Sequence, residues 1–123
     1  MSWELTSDRP IYAQLIEQIE LKICTGVYPP GSRMPSVREL AREASVNPNT
    51  MQRALAGLED SNLLFTYRTS GRFVTEDEKL VGQVKQRLAG EHTREFLDRM
   101  QRLGFDHEEI LAALSRIMEE NKR

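Results

Sequence analysis

Apolar residues recur at helical spacing in several stretches of this chain, interrupted by one short region of strand character. The first helical stretch runs from Pro10 to Gly26. Ile11, Leu15, Ile19 and Ile23 fall every four residues, with Ile16 beside them, so they share one helix face. Pro10 opens that helix, Gly26 ends it, and Tyr28-Pro29-Pro30-Gly31 turns the chain. Ser36-Val37-Arg38-Glu39 has the form of a capping box, so a second helix starts at Ser36 with Val37, Leu40, Ala41 and Ala44 as its stripe. Pro48 disfavours the αR region at Asn47, which stops this helix. The same dipeptide starts the next one, with Asn47 as cap and Pro48 as first helical residue. The third helix buries Met51, Ala54, Leu55 and Leu58 and turns Asn49, Thr50, Gln52 and Arg53 outward.

Leu63–Tyr67 reads as a strand and Arg72–Val74 as its return, with Thr69-Ser70-Gly71 at the corner. Gly71 supplies a positive φ there, and Asn62, before the first strand, tolerates αL. Ser32–Met34 is too short to stand alone and is expected to pair with this hairpin. At the N-terminus Ser2–Leu5 alternates, which predicts an extended segment packing Trp3 onto the domain. After the hairpin, the acidic cluster Glu76-Asp77-Glu78 suits a helix start. Leu80, Val81, Val84 and Leu88 form one stripe; Phe96, Leu97, Met100 and Leu103 form another. Gly90 between them is expected to break or kink the helix. Gly104 stops it. Asp106-His107-Glu108-Glu109 starts a last helix carrying Ile110, Leu111, Leu114, Ile117 and Met118, which frays into Glu-Glu-Asn-Lys-Arg. Two helices of this size cannot enclose a core of their own, so the same pair from a second subunit is the economical partner.

The expected fold is mostly α. Residues 1–75 form a winged helix-turn-helix of three helices and a hairpin, and residues 76–123 a two-helix dimerisation tail through Leu80, Val84, Leu88, Phe96, Leu97, Met100, Leu103, Ile110, Leu111, Leu114, Ile117 and Met118.

Composition adds limits. A chain of 123 residues with 39% apolar and 29% charged residues holds one domain with an appendage. No apolar run approaches the ~20 residues of a membrane span, and Met1–Pro10 lacks the basic start and apolar core of a signal peptide. A cytoplasmic protein is expected. Cys24, the single cysteine, falls in an apolar-patterned helix and is read as a small buried hydrophobe.

The net charge of −2 is unevenly placed. Residues 1–75 carry 8 Lys and Arg against 8 Asp and Glu, and residues 76–123 carry 9 against 11. Acids are absent between Leu21 and Arg38, between Ala44 and Leu58, and between Ser61 and Thr75. Lys22, Arg33, Arg38, Arg53, Arg68 and Arg72 therefore look unopposed, and local clusters of this kind are what neutralise phosphate.

A helix, a short turn and a second helix with an amide-rich, cationic outer face is the helix-turn-helix pattern. Asn and Gln suit adenine edges, Arg suits guanine, and Thr serves bases or phosphates. Asn47, Asn49 and Thr50 fall in the first turn, the end that enters a major groove and whose free N–H groups favour phosphate. The hairpin, with Arg68, Thr69, Ser70, Gly71 and Arg72 at or beside its tip, is a wing that lies along the backbone or the minor groove. The plainer alternatives are a solvated helix face and a hairpin that only completes the core.

Residues 10–75 resemble the DNA-binding domain of GntR-type bacterial transcription regulators. The likeness is carried by Pro10-Ile11-Tyr12 with Gln14-Leu15, Gly26, Pro30-Gly31, Pro35-Ser36 with Arg38, Leu40-Ala41, Val46, Thr50-Met51, Ala54, Leu58, and Gly71 with Phe73-Val74. The remainder is similar to the short tail of the YtrA-type subfamily, through Phe96, Leu103-Gly104 and the helix from Glu108. The resemblance implies a winged-helix dimer that binds a pseudo-palindromic operator and usually represses, often beside ABC-transporter genes. It places Arg38 on a phosphate or base, Asn47, Asn49, Thr50 and Gln52 on the recognition helix, Arg53 close to the DNA, and Arg68 and Thr69 at the wing. The sequence departs from the family at the wing, where Thr69-Ser70-Gly71-Arg72 replaces a Gly-x-Gly-Thr pattern. It also departs at Asn62, in place of a glycine, and at Pro48, where some relatives carry a contacting side chain.

Two other functions compete. A protein-docking winged helix would need large apolar anchors, which the outer face of Asn47–Arg53 lacks. An enzyme would need a nucleophile–base pair, phosphate loop or metal spacing, and none is evident. His92 and His107 read as exposed or capping residues. No cofactor or metal is expected. A small apolar effector between two tails is the alternative to plain dimer packing.

Overall fold

The computed structural model describes residues 3–122. Ser2, in the expected N-terminal segment, and Arg123, in the stretch expected to fray, lie outside them; α5 runs on through Glu119 and Glu120 to Asn121. In order, the elements are α1 (Ile11–Cys24), α2 (Val37–Ala44), α3 (Pro48–Asp60), β1 (Leu64–Tyr67), β2 (Gly71–Val74), α4 (Glu78–Arg102) and α5 (His107–Asn121). The chain divides into two compact units, Met1–Lys85 and Gln86–Arg123, with the cut inside α4.

In the first unit, α1 and α2 both pack on α3. Leu15 and Ile19 of α1, Leu40 of α2, and Met51, Leu55 and Leu58 of α3 are shut off from solvent, joined by Leu63, Leu64 and Val74 from the hairpin. Gly57 lets α1 and α3 approach closely: a Cβ there would stand 2.9 Å from Ile16 Cδ1. The expected stripes are the buried faces. The caps form as their sequences dictate. Glu39 N–H donates to Ser36 Oγ at 3.1 Å, and the Glu39 carboxylate accepts from Ser36 N–H. Asn49 N–H donates to Asn47 Oδ1 at 2.7 Å. Between the two helices Ser45 takes αL, with φ of 57°.

β1 and β2 pair antiparallel, Phe65 opposite Phe73 and Tyr67 opposite Gly71. Ser32–Met34 adds the expected third edge. Arg33 bridges Phe73, Met34 N–H donates to Arg72 O at 2.8 Å, and Val74 N–H donates to Ser32 O at 2.9 Å. Asn62 adopts φ of 66°, so the turn survives without glycine.

Trp3 and Leu5 are half-buried. The segment after them is tied to α1 by two amides. Gln14 Nε2 donates to Thr6 O at 2.8 Å and Arg9 O at 2.9 Å, and Gln18 pairs with the backbone of Glu4. Cys24 is half-buried rather than buried, and its thiol points to Val81 O at 3.9 Å.

α4 begins where the acids predict, with Asp77 Oδ1 accepting from Leu80 N–H at 3.1 Å. It does not break at Gly90: one helix of 25 residues runs through. A single interior glycine costs about 1 kcal/mol relative to alanine, which a helix of this length absorbs. In the second unit, Gly104, at φ of 91°, stops α4. Asp106 and Glu109 form the capping box of α5, with N–H to carboxylate distances of 2.9 and 3.0 Å. Leu88 and Ile110 are buried, and Leu97 and Met100 half-buried. Phe96, Leu103, Phe105, Leu111, Leu114, Ile117 and Met118 are exposed, Leu103 by 72% and Leu111 by 64%.

Candidate nucleic-acid interface

The start of α3 presents the amide and cationic side chains. Asn49, Gln52 and Arg53 are exposed and lie three and four residues apart, so they share one helix face. Thr50 is half-buried at the edge of that face. Asn47 is exposed, but its carboxamide oxygen is committed to the cap, which leaves its amide group as the donor for an outside partner. Arg38 is exposed on α2.

Arg53 is held rather than free. Its guanidinium carbon lies 3.7 Å from the centroid of the Tyr12 ring on α1. Stacking over an aromatic face restricts the guanidinium while leaving its N–H edges available. Tyr12 gained no role from sequence, since helical periodicity places it beside the α1 stripe and says nothing of the residue across the groove.

At the wing, Arg68, Thr69 and Ser70 are exposed at the tip, and Ser70 N–H donates to Tyr67 O at 2.6 Å. Arg68 takes φ of 39° and Gly71 φ of 100°. The glycine carries the conformation expected of it. Phe65, Tyr67 and Phe73 form an aromatic cluster across the hairpin, with Phe65 and Tyr67 edge-to-face at 5.1 Å.

Two of the cations read as unopposed are not. Arg72 Nε donates to Glu59 Oε1 at the end of α3, where Thr66 Oγ1 also donates at 3.1 Å, and its side chain is 19% exposed. Glu59 lies far from Arg72 in sequence, and the pairing of β2 with β1, which packs on α3, brings them together. Lys22 is 3% exposed. Its ammonium sits 3.3 Å from the Trp3 ring centroid, and burial pushes its pKa below the ordinary lysine value, against a smaller raising effect of Glu43. Burial likewise pushes the adjoining Tyr28 hydroxyl up to about 12. Lys22 therefore fastens the N-terminal segment and faces no external phosphate. Both histidines are exposed.

The interface thus brings together Asn49, Thr50, Gln52 and Arg53 on α3, with Asn47 at its cap. Arg38 lies on α2 and Arg68, Thr69, Ser70 and Gly71 at the hairpin tip. It leaves Arg72 bound to Glu59. Among the described residues no helix is long and apolar enough to cross a membrane.

Comparison with known proteins finds the family described as bacterial regulatory proteins, gntR family, over residues 11–74. The HTH-type transcriptional regulator YhcF of Bacillus subtilis is 34% identical over 97% of this chain and 98% of its own length. The HTH-type transcriptional repressor YtrA of the same organism is 40% identical over 59% of this chain and 56% of its own. Among solved structures, a GntR family transcriptional regulator from Listeria monocytogenes superimposes with a TM-score of 0.83 at 38% identity, covering 91% of this chain and 98% of that one. The DNA-binding domain of AraR in complex with operator ORX1 matches 61% of this chain and 99% of its own, with a TM-score of 0.53 at 27% identity.

Proposed function

The chain belongs to the GntR family of DNA-binding transcriptional regulators, and on that premise we propose that it represses a small operon by binding a pseudo-palindromic operator as a homodimer. The observation that carries this reading is the exposed Asn49–Gln52–Arg53 face at the start of α3, with the wing in the same unit. A major groove admits one helix, and its base edges offer patterns that amides and guanidinium match in two places. The wing tip adds Arg68 for the backbone. In this reading residues 1–75 bind DNA and residues 76–123 hold two copies together. The exposed apolar side chains of α4 and α5 support the second part. Repression is favoured by the repressor YtrA among the relatives and by the simplest consequence of operator occupancy, exclusion of polymerase. Transporter genes are the proposed targets, by the subfamily resemblance alone.

The test is selection of bound fragments from the organism's own DNA by purified protein, with Arg38→Ala as control. Enrichment of a two-fold-symmetric site that the control loses is the expected result. A lack of any enriched site at moderate salt would count against the operator reading.

Tyr12 gives a narrower test. An exposed cation–π contact is worth about 0.5–1 kcal/mol, so Tyr12→Leu is expected to weaken operator binding by roughly two- to five-fold, while Tyr12→Phe retains it. Equal losses in both variants, read by fluorescence anisotropy, would assign the effect to the hydroxyl instead of the ring.

A further inference from the structure

We propose that Arg33 is the wing-side contact to a backbone phosphate, in the place that sequence charge alone would give to Arg72. The proposal rests on the DNA-binding reading above and names the cation that serves it there.

Three observations carry it. First, Arg72 is already neutralised. Its Nε is bonded to Glu59, which also accepts from Thr66, so the pair brings no net charge to the wing. Second, Arg33 is exposed and has no ion pair among the described residues. Its backbone is fixed by the bridge to Phe73 and by the flanking bonds of Ser32 and Met34 to β2, so the side chain starts from a rigid base. Third, the wing makes room for it. A Cβ on Gly71 would lie 3.0 Å from Arg33 Nε and 3.4 Å from one of its terminal nitrogens. The guanidinium passes over the bare backbone of Gly71, at the root of the turn.

Beside Arg33 opens a groove of about 640 Å³, lined by Ser36 and Val37 at the start of α2 and by Thr66, Gly71 and Arg72 of the wing. Glu39 also lines it, with its carboxylate turned to Ser36 N–H in the capping box. A phosphodiester oxygen entering the groove meets the guanidinium fork, which matches phosphate geometry with paired N–H donors. Gly71 thus has two tasks, its positive φ and its clearance for Arg33. This phosphate contact comes from the segment before α2, in addition to the Arg68 that the hairpin tip supplies.

The experiment titrates the full-length chain with a duplex bearing the selected site, at a series of salt concentrations. It compares wild type, Arg33→Ala, Arg33→Lys and the charge-neutral double variant Glu59→Gln, Arg72→Gln. Loss of one phosphate contact lowers the slope of log K against log salt by about 0.9. That loss is expected for Arg33→Ala, while Arg33→Lys and the double variant keep the wild-type slope. If Arg33→Ala does not fold by circular dichroism, Arg33→Gln carries the same expectation. A wild-type slope in the Arg33→Ala or Arg33→Gln protein overturns the proposal, as does a slope lost only in the double variant. A wild type that binds no duplex at all overturns the DNA-binding reading, and this proposal with it.

Discussion

Replacing Leu114 and Ile117 together by glutamate is expected to turn a dimer into a monomer and to weaken binding to a two-half-site operator by about 10²-fold or more. Both residues are exposed on α5, three positions apart, on the same side as Leu111 and Met118. An apolar strip of this kind is costly to leave in water, at about 25 cal/mol for each Å² that a partner would cover. In the proposed homodimer a second tail covers it with the same strip, as a two-fold interface does. Glutamates in that seam would be desolvated without partners, which removes more than the lost apolar contact. The effect on DNA follows from linkage. Two tethered winged helices bind the second half-site at the effective concentration that the dimer imposes, and a monomer loses that advantage while its contacts within one half-site are unchanged. Sedimentation gives the oligomeric state, and anisotropy titrations with one-half-site and two-half-site duplexes separate the terms. Unchanged binding to the single half-site with weaker binding to the pair is the expected pattern. A double variant that remains dimeric would remove α5 from the interface.

The parts of the fold that local chemistry dictates were legible in the sequence, and the parts made by chain return were not. Ser36 with Glu39, Asn47 with Pro48 and Asp106 with Glu109 each set a helix start within four residues, and all three caps form. Asn62 takes the αL conformation that its side chain permits, and Ser32–Met34 joins the hairpin through backbone bonds of Met34 to Arg72 and of Val74 to Ser32. Gly90 does not break α4, because a local propensity of about 1 kcal/mol is small against the rest of a 25-residue helix. Charge counting failed in a different way. Lys22 and Arg72 look free when only their neighbours in sequence are considered, yet Trp3 and Glu59 reach them through the tertiary fold. The same holds for Arg53 over Tyr12, and for Gly57, whose missing side chain lets Ile16 pack. For the candidate interface, residue types and their helix face were readable. Which cations remain available to phosphate was not, because that depends on where acids and rings are carried by elements distant in sequence.

On α3 and α2, substitutions are expected to separate readers of sequence from holders of register. Asn49→Ala and Gln52→Ala each remove a side chain that is exposed on the outer face of α3. Each is expected to relax preference at particular base pairs by about 1–3 kcal/mol, leaving affinity for unrelated duplexes nearly unchanged. Arg38 lies on α2, the helix that crosses the backbone in this motif. Arg38→Ala is expected to weaken binding to every duplex and to lower the salt slope by about 0.9, the mark of a lost phosphate contact. Asn47 stands between the two classes. Its oxygen caps α3, so Asn47→Ala would cost about 1 kcal/mol of helix stability in addition to any contact its amide makes. It is therefore a poor test of base reading. Titrations of each variant against the selected site, single-base variants of that site and an unrelated duplex measure both quantities. If Asn49→Ala, Gln52→Ala and Arg38→Ala lost affinity equally on every duplex, the α3 face would be positioning the protein along with Arg38. Sequence preference would then have to come from the wing tip at Arg68 or from deformation of the duplex.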